Sequence, residues 1–147
     1  MNQKIIVIGG GAAGMAAALT AAKARPGVSV TILERMDRVG KKILATGNGR
    51  CNLTNEDVSP AHYYGNDKGL LRKALYAMPV EQVLDFFGEY DLLCQTEDEG
   101  RVYPYCKQAS MVLDVLLIAL ERANIDVQCG CAVEEIVRNK GEFRVKT

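Results

Sequence analysis

The sequence predicts an α/β fold: a parallel sheet layered between other elements in a three-layer arrangement, with a β-hairpin or meander following it. Three observations carry the prediction. A β-branched run at residues 4–8 leads into the triplet Gly9, Gly10, Gly11; an alanine-rich stretch covers 12–24; a second β-branched run, 29–33, ends at Glu34. Continuous apolar β-branched runs mark strands buried on both faces of a parallel sheet. Strand, helix and strand in so short a span form a βαβ unit with a right-handed crossover.

The elements follow in order. The first helix stops where a basic last turn meets Pro26 and Gly27, two helix breakers. Residues 41–45 are expected to form a short helix leading into a glycine-rich loop, 46–52, and residues 55–68 are polar and turn-rich, a surface loop. Two helices are expected over 69–78 and 79–90, with Pro79 at a first helical position, where its missing N–H costs nothing. Residues 92–96 and 101–103 flank the turn at 98–100 as a hairpin. Ser110 is suited to cap a strongly apolar helix over 111–123 that ends at Asn124. A strand at 125–129 and a hairpin pairing 133–138 with 142–146 across Asn139, Lys140 and Gly141 complete the chain.

Composition narrows the function. With 48% hydrophobic and 24% charged residues over 147 positions, the chain reads as one soluble domain rather than a disordered tail or a disulfide scaffold. The net charge of zero predicts no nucleic-acid partner, but it conceals a split: residues 1–50 hold eight Lys/Arg against two acids, a balance of +6, and the rest balance at −6. Eight of the fourteen glycines share that basic region, so an anionic ligand is to be sought there. The five cysteines follow no zinc spacing, so no metal site is expected; reduced, mostly buried thiols fit a cytoplasmic protein. The uncharged stretch 5–22 contains four glycines and seven alanines, too weakly apolar for a signal peptide or membrane span, so no membrane partner is expected.

Gly9, Gly11 and Gly14 fit Gly-x-Gly-x-x-Gly, after a strand and at the opening of a helix, with Glu34 twenty residues beyond Gly14. That context makes it a Rossmann-like dinucleotide fingerprint. Gly9 permits the tight turn, Gly11 lets backbone approach a pyrophosphate, and Gly14 lets helix and strand pack closely. Ala12 and Ala13 place helix N-terminal N–H groups toward the phosphates. Glu34 can accept from ribose hydroxyls and disfavours a ribose 2′-phosphate, although Arg35 beside it is suited to one. This geometry does not separate FAD from NAD. A second glycine-rich, basic stretch supplies Lys42, Gly47, Gly49 and Arg50, the two cations being suited to a pyrophosphate or an anionic flavin edge.

The run from Glu34 to Asn55, with Gly-x-Lys-x-Leu-x-x-Gly-x-Gly-Arg-Cys-Asn at 40–52, closely resembles bacterial flavoproteins of the BaiN type, an aminoacetone-oxidase family of NAD(P)/FAD-dependent oxidoreductases. Asp98-Glu-Gly-Arg-Val-Tyr-Pro104, followed by Gln108-Ala-Ser110, looks like a second segment of that family. The resemblance implies FAD at the fingerprint, with NAD(P)H as a candidate electron donor. It implies that Lys42 and the loop bearing Gly49, Arg50, Cys51 and Asn52 run along the pyrophosphate toward the isoalloxazine, and that backbone near Val133 meets the adenine. It further implies that residues 1–147 are the N-terminal part of a FAD-binding domain, truncated before a later flavin segment and a substrate domain. The expected chemistry is reduction of an activated C=C bond or oxidation of a small amine, on a small-molecule substrate, and the 147-residue chain by itself is expected to be inactive.

Other residues weigh less. Cys51 has no second cysteine a few residues away, so it reads as a packing or backbone residue rather than a redox thiol. His62 beside Tyr63 and Tyr64 reads as structural, and no catalytic acid or base is assignable. Glu97, Asp98 and Glu99 read as a solvated hairpin turn, and Tyr103, Pro104 and Tyr105 as near the flavin by family position. Two alternatives remain: a NAD-binding dehydrogenase domain, and a non-catalytic truncated chain. The sequence sets no oligomeric state.

Overall fold

A computed structural model describes residues 4–147. Along the chain lie β1 (Lys4–Ile8), α1 (Ala12–Ala24), β2 (Ser29–Leu33), β3 (Thr54–Asn55), α2 (Lys68–Ala77), α3 (Val80–Gly88), β4 (Cys94–Thr96), β5 (Arg101–Pro104), α4 (Ala109–Arg122), β6 (Asp126–Gln128), β7 (Glu135–Asn139) and β8 (Glu142–Lys146). The chain divides into two units, Met1–Ile43 with Leu116–Thr147, and Leu44–Val115.

The first unit is Rossmann-like. Among the described residues its parallel sheet has the order β1-β2-β6, with Ile6 opposite Thr31 and Ile32 opposite Val127. α1 forms because alanine and leucine favour helix and nothing β-branched but Thr20 interrupts them. Met15, Ala18 and Leu19, spaced three and four apart, are its buried stripe. The helix ends at Arg25, whose N–H donates to the Ala21 carbonyl, and Gly27 with φ +84° turns the chain toward β2. Val30 and Ile32 are buried in β2, and Leu116 and Leu120 in α4. Burying one such side chain contributes about 1.5–3 kcal/mol.

β1 departs from expectation. Rather than being buried on both faces, it leaves Ile6 37% and Ile8 49% exposed. The reason is its place in the sheet: β1 is the edge strand, and α1 covers the face to which Val7 belongs. The hairpin β7–β8 pairs Glu135 with Lys146 and turns at Lys140 and Gly141, both with positive φ, as the turn signal predicts.

The second unit holds an antiparallel sheet of order β3-β5-β4. The expected hairpin is present as β4 and β5, and β3 adds to it through Thr54 opposite Val102. β3 is a correction, since Asn55 is expected to open a surface loop and no strand is expected at Thr54; two residues are too few to show a period. The helix expected at 41–45 is instead a succession of 3-10 turns over Ile43–Gly49, broken at Thr46, Gly47 and Asn48. Glycines at 47 and 49, both with positive φ, interrupt helical backbone. α2 is capped by Asp67, which accepts from the Leu70 N–H at 2.8 Å. α4 begins at Ala109, so Ser110 lies inside the helix rather than at its cap.

Candidate functional site

The chain leaves β1 through Gly9, whose φ of +96° suits glycine, and enters α1 at its N-cap, Gly11. The remaining glycines of the turn differ in what a Cβ would meet. At Gly14 it would overlap the Gly9 carbonyl oxygen and stand 3.0 Å from the carbonyl carbon. At Gly10 it would lie 2.9 Å from Val39 Cβ and 3.3 Å from Glu34 Cβ. Internal packing therefore requires glycine at both. At Gly11 a Cβ would meet nothing within 4 Å, and φ is an ordinary −78°. The fold itself makes no demand for glycine there. Gly11, Ala12 and Ala13 are exposed, and no side chain caps the helix. Backbone N–H groups and the positive end of the helix dipole meet at this open ground.

Glu34 stands at the end of β2. Its Oε2 accepts from the Gly10 N–H at 2.6 Å and its Oε1 from the Met36 N–H at 2.8 Å. The Met36 bond first, then the Gly10 bond, hold this carboxyl below the usual carboxylate range despite some desolvation. The residue expected to face ribose hydroxyls thus also braces the glycine turn. Each oxygen retains a further lone pair, so bracing leaves acceptor capacity.

Main-chain bonds tie the neighbouring segments to this point. The Gly9 N–H donates to Leu33 O, the Glu34 N–H to Gln128 O, and the Cys131 N–H to Glu34 O, all at 2.8–2.9 Å. Half-buried Val133 follows in the connection from β6 to β7. The glycine turn, Glu34 and the 130–133 segment accordingly share the carboxyl edge of the parallel strands, where ligands of open α/β sheets bind. The Gly40 N–H donates to Gly10 O at 2.8 Å, which brings the following residues to the same turn. Arg35 and Lys42 are exposed, and Lys41 is paired with Asp37 at 2.5 Å.

Gly47, Gly49, Arg50, Cys51 and Asn52 belong to the second unit. Gly47, Asn48, Gly49 and Cys51 all have positive φ. A Cβ at Gly47 would lie 2.7 Å from Asn52 N and 3.3 Å from Tyr103 Cε1. Cys51 is buried with a free thiol, and its N–H donates to Thr46 O, which fits the packing and backbone role expected. Asn48, Gly49 and Asn52 are exposed.

Arg50 is occupied within the protein. It donates to Glu97 Oε2 at 3.0 Å and to the Tyr103 hydroxyl at 3.2 Å, and its guanidinium lies 4.3 Å from the Tyr103 ring centroid. Lys107 lies 2.6 Å from Glu97 Oε1. Lys107 first, with Arg50 adding to it, holds the Glu97 carboxyl below its usual range. Glu97 is thus an anchor joining two segments rather than part of a solvated turn. No local pattern betrays this, because its partner is 47 residues away. Tyr103 is 3% exposed and seats this cluster. His62 pairs with Asp57 at 2.8 Å, in keeping with a structural role. Among the described residues no cluster of His, Cys, Asp and Glu is arranged to hold a metal, and no helix is long and apolar enough to cross a membrane.

The open ground at Gly11, the uncapped helix start and the Glu34 carboxylate fit a dinucleotide. Comparison with known proteins agrees. A family model described as "HI0933-like protein Rossmann domain" matches residues 3–147. The chain is 41% identical, over 97% of its length, to 3-dehydro-bile acid delta(4,6)-reductase of Clostridium scindens, of which it covers 35%. It is 28% identical, over 96% of its length, to ribosomal RNA dihydrouridine synthase of Haemophilus influenzae, of which it covers 34%. The chain therefore spans about a third of the length of these curated relatives. The crystal structure of Thermovibrio ammonificans THI4 superposes with a TM-score of 0.55 at 19% identity, over 98% of this chain and 45% of that one, a likeness of fold.

Proposed function

Because this chain belongs to the HI0933-like protein Rossmann domain family, we propose that it binds FAD along its glycine turn as the cofactor-binding portion of a flavin-dependent oxidoreductase. The observation that carries this reading is the open ground at Gly11, a glycine the fold does not itself need, over the exposed and uncapped start of α1. The N–H groups of residues 11–13 take the pyrophosphate, with Lys42 as the nearby cation. The unused lone pairs of Glu34 accept ribose hydroxyls, and its negative charge disfavours a 2′-phosphate. Backbone at Val133 meets the adenine. In the second unit, Arg50, held by Glu97 and Tyr103, fixes the loop of Gly47, Gly49 and Asn52. The cofactor supplies hydride transfer; the protein supplies positioning and electrostatics.

The likeness to the reductase of Clostridium scindens supports reduction of an activated C=C bond over amine oxidation, and NAD(P)H is the candidate electron donor. A small-molecule substrate is favoured over a nucleic acid because identity to the bile-acid reductase, 41%, exceeds the 28% to the ribosomal RNA dihydrouridine synthase. Five free cysteines suit the cytoplasm, although only Cys51 is buried where the sequence predicts mostly buried thiols. Turnover belongs to a polypeptide of the relatives' full length, and residues 1–147 by themselves bind cofactor without turning it over.

Titration of FAD into the chain and into Gly11→Val, followed by flavin fluorescence and far-UV circular dichroism, tests the reading. The expected result is saturable binding that weakens at least tenfold in a still-folded variant, a loss of about 1.4 kcal/mol or more. Equal affinity for the two proteins refutes the phosphate site. Saturable binding of NAD with none of FAD favours the dehydrogenase reading instead.

A further inference from the structure

Two cysteines separated by one glycine, Cys129-Gly130-Cys131, directly follow β6, and their thiols take no part in the site described above. The other three cysteines offer no such pairing. Cys51 is buried, Cys94 is half-buried with its Sγ 3.7 Å from Leu92 O, and Cys106 is exposed with no cysteine near it in sequence. Cys129 is exposed and Cys131 half-buried, both with free thiols. Between them Gly130 has φ +67°, a left-handed bend that glycine adopts without strain. A Cβ there would meet nothing within 4 Å, so the backbone conformation and not packing calls for the glycine. Two bonds pin the bend. The Gly130 N–H donates to Met36 O and the Cys131 N–H to Glu34 O, each at 2.8 Å, all within the first unit.

An extended chain spaces alternate Cα atoms at about 7 Å, the outer limit of what a disulfide bridges, about 4.4–6.8 Å. A bend at the residue between them draws the pair closer. Among the described residues no group of three His, Cys, Asp or Glu is placed to hold a metal, which leaves the two sulfurs each other as partners. We propose that Cys129 and Cys131 form a dithiol site that closes reversibly into a disulfide by exchange with a low-molecular-weight disulfide of the glutathione class. The more exposed Cys129, as its thiolate, attacks one sulfur of that disulfide; a mixed disulfide forms and one small thiolate leaves. Cys131 then attacks Cys129 Sγ, the bond between the two cysteines forms, and the second small thiolate leaves. The two cysteines are oxidised, the small disulfide is reduced to two thiols, and the protons of the protein thiols pass to the departing thiolates. A ring this short constrains the unfolded chain little, and an exposed disulfide is readily reduced, so this one serves regulation rather than stability. It has a structure to act on, because the same bend ties the end of β6 to the backbone of Glu34 and Met36. The inference is independent of which dinucleotide binds.

The test equilibrates the full chain with graded ratios of oxidised to reduced glutathione, quenches with acid and blocks remaining thiols with N-ethylmaleimide. Mass spectrometry then reads the tryptic peptide 123–138, in which Cys129 and Cys131 are the only cysteines. The expected product lacks both thiol hydrogens and takes up no maleimide, and excess reduced glutathione restores the dithiol. In Cys131→Ser, checked for folding by far-UV circular dichroism, the reaction should stop at a glutathione adduct on Cys129. The pinned bend predicts that the folded chain closes at a glutathione ratio at least tenfold lower than the same chain in urea. Closure within the existing bend should also leave the Gly130 and Cys131 amides protected from hydrogen exchange. Two maleimides on the peptide at every ratio overturn the proposal, as does a parent chain that stops at the glutathione adduct. A disulfide joining this peptide to another cysteine overturns it too, and so does closure at the same ratio in folded and unfolded chains.

Discussion

Gly14→Ala sets two physical effects against each other with opposite signs. In a helix interior alanine is favoured over glycine by about 1 kcal/mol, so propensity predicts a stabilised protein. The structure predicts the reverse, because the new Cβ would overlap the Gly9 carbonyl oxygen and stand 3.0 Å from its carbon. Neither obstacle is a side chain that can rotate away; both belong to a turn held by the Gly9 N–H bond to Leu33 O. Clearing the overlap requires α1 to retreat from the turn by roughly 1 Å, and overpacking of this kind costs about 1–3 kcal/mol, toward the upper end where backbone must move. The net expectation is a loss of about 1–2 kcal/mol. With a urea m-value of about 2 kcal/mol/M, the middle of the usual range for small proteins, the unfolding midpoint should fall by about 0.5–1 M. Gly11→Ser is the matched control: its Cβ meets nothing and serine is a favoured N-cap, so its stability should stay within about 0.5 kcal/mol of the parent or rise. A midpoint for Gly14→Ala equal to or above the parent's would refute the close-packing argument.

Three further substitutions address the rest of the site. Glu34→Gln should destabilise the protein at neutral pH, because an amide offers one acceptor where the carboxylate offers two to the Gly10 and Met36 N–H groups. Since the folded-state pKa lies below the ordinary 4.5, the unfolded chain takes up the proton first as pH falls. The parent's advantage over the variant should therefore be full above 4.5 and shrink below it; a gap in urea midpoints that does not vary with pH would contradict the assignment. Gly47→Ala should cost about 1–2 kcal/mol from its left-handed φ, before adding the 2.7 Å approach to Asn52 N, and an unchanged thermal midpoint would count against it. Arg50→Lys retains charge but loses the planar stack over Tyr103, a contact of about 0.5–1 kcal/mol, and equal urea midpoints would show that the stack contributes nothing.

The βαβ unit was legible because its signals are local: β-branched runs, an alanine-rich stretch and glycine punctuation each occupy a few consecutive positions. The hairpin β7–β8 was legible for the same reason, through Asn139, Lys140 and Gly141. What escaped depends on partners distant in sequence. β3 is two residues long and defined by pairing with β5, and Glu97 owes its anchoring role to Arg50 and Lys107. The exposed face of β1 was hidden as well, since apolar composition says that a strand is to be covered and not what covers it. Charge counting also proves coarser than it looks. The +6 already nets Asp37 against Lys41, but Arg50 is matched by Glu97, an acid outside the first fifty residues. The +6 balance therefore exceeds the positive charge left to face an anion.

The fingerprint itself shows how structure divides a motif that sequence presents as uniform. Four glycines occur within six positions, and the fold accounts for three of them. Gly9 is required by its φ, Gly10 by Val39, and Gly14 by the Gly9 carbonyl. Substituting any of those three disturbs the protein whether or not a ligand exists, so loss of binding in such a variant says little about where a ligand lies. Gly11 differs: with ordinary φ, empty surroundings and an exposed position, neither backbone strain nor packing demands glycine there, and only the mild preference for glycine at an N-cap favours it from within. The open space at that position is what the proposed reading fills with something that approaches from without. The uncapped N–H groups beside it give that something a negative charge. Gly11 is therefore the position at which ligand affinity can be separated from folding, and at which a dinucleotide reading of the turn stands or falls.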